Sequence, residues 1–166
     1  WLLVQALRRS GAARLVAVEV QEQRRELALR MGAAAALPPG DDLDRRLDEL
    51  APHGFGLVVD ATGLPQVIAR AFDHIAPRGQ YLQFGVAPRG AQVAWQPYEI
   101  FHRDLTIIGS FALCYTFQPA IAWLESGVVQ VEDLGPCPAE LFLGLLGVAR
   151  EKDRVPGETV EHGAAH

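Results

Sequence analysis

The sequence is poor in the features that mark several functional classes. Its 2 cysteines, Cys114 and Cys137, stand far apart and in no metal-ligand spacing, so neither a zinc cluster nor a disulfide framework is expected, and reduced thiols in the cytoplasm are favoured. The net charge is −5 and there is no basic tract, which leaves a nucleic acid or an anionic membrane surface with little electrostatic support. No apolar run reaches the length of a membrane span, and no segment resembles a signal peptide.

The composition is otherwise that of a globular protein. At 166 residues, 49% hydrophobic and 21% charged, the chain is long enough for one domain with a sizeable core. The first residue is Trp1 rather than methionine, and it already stands within a helical pattern. We therefore expect the chain to be a piece of a longer protein.

Helical and strand patterns alternate along the first 130 residues. Predicted helices cover 1–10, 22–31, 42–52, a stretch that ends at 75, and 119–127, and predicted strands cover 14–20, 33–37, 56–61, 80–85 and 104–112. The strands at 14–20 and 104–112 are expected to be buried, in the manner of parallel strands covered on both faces. The alternation predicts an α/β fold built on a doubly wound parallel sheet. The stretch after residue 86 is expected to be a loop rich in proline and glycine, and beyond about 135 we expect a helix at 139–150 and an irregular tail.

The first predicted strand ends on a lone acid, Glu19, and Arg24 follows five residues later. In a doubly wound sheet, ligands bind outside the carboxyl ends of the strands. A carboxylate at the tip of the second strand of such a sheet can accept hydrogen bonds from both hydroxyls of an adenosine ribose, and it repels the 2′-phosphate of NADP. Glu19 is therefore predicted to favour NAD, with the guanidinium of Arg24 beside the adenine or ribose. The alternative is a solvated acid at a strand end and a surface arginine.

A glycine-rich turn about 20 residues before that acid is its usual companion. Counting back from Glu19 places the last glycine of such a turn immediately before Trp1, so we expect this chain to lack the first strand and the glycine-rich loop. That strand is central in the order 3-2-1-4-5-6. Without it, the strands at 14–20 and 56–61 must pair directly or leave backbone groups unpaired, which is costly when they are buried. We therefore predict a domain that is marginally stable or depends on dimerisation.

Four segments in register carry a family resemblance over roughly residues 2–130. They are VQALRRSGAARLVAVEVQEQRRELALRMGA, GLVVDATG, RGQYLQFGV and HRDLTIIGSFA. With them the chain resembles the coenzyme-binding part of a zinc-dependent medium-chain alcohol dehydrogenase, of the kind that includes sorbitol and threonine dehydrogenases. The resemblance implies a partial NAD-binding Rossmann domain at 1–134, a C-terminal helix and irregular tail at 135–166, and a catalytic zinc domain outside this chain.

The same resemblance implies an activity. The full-length enzyme would transfer hydride between an alcohol or polyol and NAD, while a zinc ion held by the N-terminal domain polarises the substrate oxygen. This chain alone would hold the cofactor, would contain no catalytic residue and would be inactive. The tail departs from the family pattern, because 156–166 does not continue as a strand.

The resemblance also implies which residues of this chain would contact the cofactor. Thr62 and Gly63 would lie near the pyrophosphate or the adenosine side of the cleft, with Glu19 on the adenosine ribose. Gly85 and Val86 would pass close to the nicotinamide, since glycine lets the backbone approach a ligand. The alternatives are an ordinary turn at Gly63, a tight strand end at Gly85 and a packing role for Val86.

Ser110 and Phe111 complete the set that the resemblance implies. They would lie near the nicotinamide carboxamide and at the subunit contact, because the strand that holds them often pairs across a dimer in this family. A homo-oligomer, either a dimer or a tetramer, is therefore implied. The alternative for Phe111 is a packing role.

No residue stands in a pattern typical of a metal ligand. The histidines form no ligand pair on one helix, and they are His53, His74, His102, His162 and His166. His74 follows a helix, where we expect a helix-end cation, and His102 is expected to be solvated. No metal site is expected in this chain.

The sequence has three alternative interpretations. A zinc-free quinone or enoyl reductase would mostly use NADP and carry a small residue or a basic patch at position 19, so Glu19 counts against it. A methyltransferase also holds a ribose with an acid on its second strand, but it needs a final antiparallel strand insert that 104–112 and the following helix do not resemble. A non-catalytic nucleotide-sensing domain stays open, and zinc ligands upstream would decide for the dehydrogenase.

Overall fold

The computed structural model of the chain describes residues 2–111 and 116–131. The helix expected at 139–150, the tail, both cysteines, His162 and His166 therefore lie outside the described residues. The chain divides into two compact units, Trp1–Val129 and Gln130–His166, and every element described below belongs to the first.

Helices and parallel strands alternate along this unit. The helices are α1 (Leu2–Arg9), α2 (Glu22–Arg30), α3 (Leu43–Leu50), α4 (Pro65–Ala71), α5 (Pro97–His102) and α6 (Phe117–Glu125), and a single 3₁₀ turn covers Phe72–His74. The strands are β1 (Val16–Val18), β2 (Ala35–Leu37), β3 (Phe55–Asp60), β4 (Ile75–Gln83) and β5 (Thr106–Gly109). Within the described part of the chain, no helix combines the length and the apolarity that crossing a membrane requires.

The strands form two parallel sheets. β1 pairs with β2, and β3, β4 and β5 follow one another in the second sheet. The predicted parallel α/β architecture is confirmed. Direct pairing of β1 with β3 was one of the two expected arrangements, but the two strands do not pair among the described residues. Each of them therefore has one edge without a strand partner, which is the other expected arrangement.

The stretch from 72 to 79 differs from the prediction of a helix that ends at Ile75. Helix α4 ends at Ala71, and Ile75 is already the first residue of β4. The strand bulges, because Phe55 pairs with Ile75 whereas Leu57 pairs with Gln80. Proline, arginine and glycine at 77–79 therefore interrupt a strand, where the sequence pattern indicated the end of a helix. Burial of Ile75 in the core outweighed the helical pattern.

Two further expectations were wrong. The residues of β5 are all exposed, so the continuous apolar run did not indicate burial. β1 is also only partly covered. In the expected loop after residue 86, α5 begins with Pro97 at its first turn, a position where proline favours a helix start.

In the part of the chain that the structure describes, three apolar clusters form the core. The largest holds the second sheet and packs against Trp95 and Leu105, and its buried members are Ile68, Phe72, Ile75 and Tyr81. A second joins Leu15, Ala28 and Ala33 to the apolar face of α1. The third joins Leu37, Leu43 and Leu47, and Phe55 of β3 packs against it. Phe55 therefore links the second sheet to the half of the fold that holds β2.

An ion cluster makes a second link between these two halves. Asp44 of α3 accepts hydrogen bonds from Arg70 Nε at 2.8 Å and Arg70 Nη2 at 2.8 Å, and its Oδ1 lies 2.9 Å from His74 Nε2. The Arg70 hydrogen bond, aided by His74 and opposed by partial burial, lowers the pKa of the Asp44 carboxyl. The folded protein therefore stabilises the charged form of the Asp44 carboxyl relative to the unfolded chain.

Replacement of Asp44 by asparagine should reduce stability only where Asp44 is ionised. At neutral pH we expect a loss of about 0.5–1 kcal/mol, since half-exposed ion pairs are screened by solvent. Because the folded pKa lies below the ordinary value of 3.8, the contribution of the cluster is present above that pH and disappears as the pH falls through the lowered value. Urea unfolding at pH 7 and pH 3 measures it, with Asp73→Asn as an exposed control. A loss of equal size at both pH values would contradict the ionic origin.

Candidate functional site

Three parallel strands end side by side in the second sheet. Asp60, the last residue of β3, pairs with Gln83 at the end of β4, and Gln83 pairs with Gly109 at the end of β5. The residues that follow the three strands, at 61–63, 84–86 and 110–111, therefore share one edge of the sheet. All the predicted cofactor residues beyond position 60 lie at this edge.

The first turn (residues 61–63) and the second turn (residues 84–86) touch through their glycines. Gly63 has a φ of 70°, in the left-handed region that favours glycine, and a Cβ there would overlap the carbonyl of Val86 and approach Ala87 N to 2.9 Å. A Cβ on Gly85 would overlap the amide of Gly63 and approach Thr62 N to 2.6 Å. The close approach that requires glycine at both positions is thus between the two turns.

A buried carboxylate that the sequence analysis did not single out, Asp60, holds the first turn. It is only 2% exposed. Its Oδ1 accepts hydrogen bonds from Thr62 N at 3.1 Å and Thr62 Oγ1 at 2.6 Å. Its Oδ2 accepts from Gly63 N at 2.8 Å and from Gln83 Nε2 at 2.7 Å. One side chain therefore joins the first turn to the neighbouring strand.

The ionisation of Asp60 follows from these contacts. Burial is the largest single influence and opposes the charged form, but the hydrogen bonds from Thr62, Gly63 and Gln83 together outweigh it, and the pKa of the carboxyl is lowered. Asp60 is therefore a carboxylate at neutral pH and can only accept hydrogen bonds.

Tyr81 and Gln83 extend the network along β4. Tyr81 Oη donates to Gln83 Oε1 at 2.7 Å, and Gln83 Nε2 also donates to the carbonyl of Gly85 at 2.6 Å. Burial, together with the negative charge of Asp60, raises the pKa of Tyr81 to about 12. The phenol therefore keeps its proton at neutral pH and holds the Gln83 amide with its NH2 group toward Asp60.

Part of this network had a signal in the sequence. An aspartate at a strand end followed by threonine and glycine is typical of a turn in which the carboxylate accepts backbone amides two and three residues on. The bond from Gln83 had no such signal, because the two residues are 23 positions apart and meet only through strand pairing.

Glu19 lies at the end of β1, in the first sheet. Its side chain is half-buried, and its Oε1 accepts a hydrogen bond from Gln21 N at 2.9 Å. Its amide donates to the carbonyl of Leu37 at 3.0 Å, which continues the pairing of β1 with β2. The carboxylate is thus held at the strand tip by its own turn, and its second oxygen, Oε2, lies beside the one that Gln21 binds.

A second arginine, Arg25, lies beside the turn that follows Glu19. Arg25 Nη1 donates to the carbonyls of Val20 at 2.6 Å and Glu19 at 3.1 Å, so Arg25 orders the turn after β1. Arg24 is exposed.

Exposed apolar side chains surround the second turn. Val86 is 91% exposed and Phe111 is 97% exposed, and Phe84 is exposed as well. Ser110 N donates to the carbonyl of Gln83 at 3.0 Å, which places residues 110–111 beside the end of β4. The edge therefore offers apolar surface to a flat ring next to backbone groups in tight turns.

The described residues offer no place for a metal ion, since no group of three or more histidine, cysteine, aspartate or glutamate side chains in this part of the chain could hold one. His74 is bound to Asp44, and His102 stacks on Tyr98 with ring centroids 5.4 Å apart. A zinc ion therefore does not fit the described residues.

A comparison with protein-family models matches residues 1–126 to a family described as zinc-binding dehydrogenase. Two similar curated proteins are a D-arabinitol dehydrogenase 1 from Uromyces fabae, 33% identical over 80% of this chain and 40% of that protein, and a D-altritol 5-dehydrogenase from Agrobacterium fabrum, 32% identical over 75% and 36%. The chain thus spans about two fifths of the length of these relatives.

Solved structures agree with these matches. A Sinorhizobium meliloti protein assigned to the zinc-binding dehydrogenases and bound to NADP superposes with a TM-score of 0.73 at 25% identity, over 78% of this chain and 39% of that one. The L-idonate 5-dehydrogenase of Escherichia coli superposes with a TM-score of 0.65 at 27% identity, over 77% and 36%. In each of them the matching part is less than half of the whole protein.

Proposed function

The chain belongs to the family of zinc-binding dehydrogenases, and we propose that it is the NAD-binding portion of an enzyme that transfers hydride between NAD and an alcohol or polyol. The observation that carries the proposal is Glu19, a half-buried carboxylate held at the tip of a parallel strand. With Oε1 bound to its own turn, Oε2 is the oxygen that accepts a ribose hydroxyl, and the negative charge disfavours a 2′-phosphate.

The other predicted residues contact the rest of the cofactor. Thr62 and Gly63 lie on the pyrophosphate or adenosine side, and the second turn, with Gly85 and Val86, lies beside the nicotinamide. Val86 supports this role because its side chain is 91% exposed next to a tight glycine turn, so a flat ring can cover it without displacing protein. Arg24 lies along the adenine, which its exposure allows.

The reaction that we propose is a two-electron oxidation and its reverse. The C–H bond of the alcohol carbon breaks, its electron pair leaves with the hydrogen as hydride to the nicotinamide ring, and the hydroxyl proton goes to a base, which gives a carbonyl and NADH. Zinc, when bound, supplies Lewis-acid stabilisation of the substrate oxygen. The described residues hold no metal site, so this chain binds and orients the cofactor, and we assign it no catalytic residue.

The remaining assignments follow from the same family membership. We propose a catalytic zinc domain outside this chain, a coenzyme-binding domain at 1–134 with a tail at 135–166, and a cytoplasmic setting. The substrate is a small-molecule alcohol or polyol. We propose a homo-oligomer, supported by the exposed edge strand β5 and by the exposed side chains of Ser110 and Phe111 beside it, since an unpaired edge can accept a strand of a second copy.

Titration of the chain with NADH and NADPH tests the role of Glu19. Energy transfer from tryptophan to the dihydronicotinamide should show saturable binding of NADH and weaker binding of NADPH. Glu19→Ala should weaken NADH binding about tenfold or more, because a hydrogen bond to a charged group contributes about 1.5–3 kcal/mol. Glu22→Ala, which removes an exposed acid from the first turn of α2, is the control and should leave both affinities unchanged.

Two results would contradict the proposal. Equal affinities for NADH and NADPH in the unsubstituted chain would remove the discriminating role of Glu19. Absence of binding by either dinucleotide would contradict the claim that this chain holds the cofactor.

A further inference from the structure

Asp60 binds both turns through different atoms. Its carboxylate accepts the amides of Thr62 and Gly63 in the first turn. Its backbone carbonyl accepts the amides of Phe84 at 3.0 Å and Gly85 at 2.7 Å in the second turn. No other residue among those described is shown to accept hydrogen bonds from both turns, so Asp60 is the point to which both are attached.

Gln83 closes the network around Asp60. Its amide donates to Asp60 Oδ2 at 2.7 Å and to the carbonyl of Gly85 at 2.6 Å, and Tyr81 fixes the orientation of that amide. The carboxylate of Asp60 is thereby connected to the second turn by a side chain as well as by its own backbone. Both routes are short, and the Asp60 side chain from which they start is buried, so the spacing of the two turns depends on them.

The two turns also have no room to adjust separately. The glycines at 63 and 85 already bring the backbones into contact, and a Cβ at either would overlap the other turn. A small rotation of the first turn therefore displaces the carbonyl of Val86. A dinucleotide that spans both turns requires their relative placement to be set before it binds, since ordering them on binding would reduce affinity.

From this geometry we infer that Asp60, together with Gln83, is a positioning residue for the dinucleotide, which sets the distance between the turn assigned to the pyrophosphate side and the turn assigned to the nicotinamide. The inference rests on the proposed function. It assigns Asp60 no contact with the cofactor and no part in the chemistry.

Asp60→Asn is the sharpest variant because it keeps the shape of the side chain. The amide of asparagine has one oxygen that can accept hydrogen bonds. Its NH2 group takes the place of the other carboxylate oxygen and cannot accept from the donors there. With the NH2 group in the place of Oδ2, the bonds from Gly63 N and Gln83 Nε2 are lost. With the NH2 group in the place of Oδ1, the bond from Thr62 N is lost and the Thr62 hydroxyl must accept instead of donate. Gln83→Leu removes the donor partner at similar volume, and Asp73→Asn makes the same chemical change at an exposed aspartate.

The measurement compares two ligands by calorimetry, NADH and ADP-ribose, which lacks only the nicotinamide. NADH must contact both turns, whereas ADP-ribose needs only the adenosine and pyrophosphate side. We expect Asp60→Asn to weaken NADH about tenfold and ADP-ribose much less. Gln83→Leu should act in the same direction, and the double variant should be less than additive. Asp73→Asn should change neither affinity.

An equal loss for both ligands would overturn the inference, because a general loss of fold would lower both affinities alike. Unchanged NADH affinity in Asp60→Asn would overturn it as well. Amide hydrogen exchange, measured without ligand, distinguishes a failure of this inference from a failure of the proposed function. Faster exchange of the Gly63 and Gly85 amides in Asp60→Asn, with the Leu82 amide unchanged, would support the role of Asp60 in fixing the two turns. This holds even if the unsubstituted chain binds neither ligand. Such a lack of binding would overturn the proposed function and not the positioning role.

Discussion

Gly63→Ala should destabilise the chain severely, whereas the same change at Gly127 should be tolerated. Both glycines have nearly the same backbone angle, with φ values of 70° and 67°. Both substitutions therefore carry the same cost of a left-handed alanine, about 1–2 kcal/mol. At Gly127 a Cβ meets nothing within 4 Å, but at Gly63 it overlaps the backbone of Val86.

The difference between the two variants thus isolates the contact between the turns. Backbone cannot rotate away as a side chain can, so relief requires a shift of the second turn and loss of the bonds to Asp60. We expect Gly63→Ala to cost about 4 kcal/mol or more in total, which exceeds most single substitutions. Urea unfolding followed by circular dichroism measures both variants, and free energies of unfolding that agree within about 1 kcal/mol would contradict the close packing of the two turns.

Tyr81→Ala should be the most damaging core truncation in the second sheet. Tyr81 is 1% exposed, packs with Ile68, Phe72 and Ile75, and meets Trp95 edge to face with ring centroids 5.0 Å apart. Truncation removes the ring and leaves a cavity, so we expect a loss of about 3–5 kcal/mol in the free energy of unfolding.

Two tyrosine variants divide that loss into its parts. Tyr81→Phe keeps the ring and removes only the bond to Gln83, which should cost about 1 kcal/mol. Tyr98→Ala removes a tyrosine that is 64% exposed and should stay within about 0.5 kcal/mol of the unsubstituted chain. A Tyr98→Ala loss as large as that of Tyr81→Ala would contradict the position of Tyr81 at the centre of the core.

Local patterns were sufficient where neighbouring residues along the chain decide the structure. The ends of α1 at Arg9 and α2 at Arg30, each followed closely by a glycine, the run of apolar residues in β3 and the acid at the end of β1 are all local features. The parallel α/β architecture followed from their order. The placement of the predicted cofactor residues beyond position 60 at one sheet edge followed in turn, because parallel strands present their carboxyl ends together.

Sequence patterns gave wrong predictions where burial depends on residues that are distant in the sequence. The proline, arginine and glycine at 77–79 indicated a helix end but form a bulge in β4, since the core buries Ile75. The apolar run of β5 indicated burial, yet all residues of the strand are exposed. An apolar run shows that residues can be buried, but the segments that pack on the two faces of the sheet decide whether they are.

The sequence by itself determined most of the helices and strands, the parallel direction of the strands and the carboxylate at the end of β1, because each depends on periodicity and on residues a few positions apart. Only the tertiary structure decided that Arg25 donates to the turn after Glu19, and that Asp60 and Gln83 join two turns from separate strands. These depend on helix rotation and strand register. Both are set by how the whole core packs, and no local stretch of sequence contains that information.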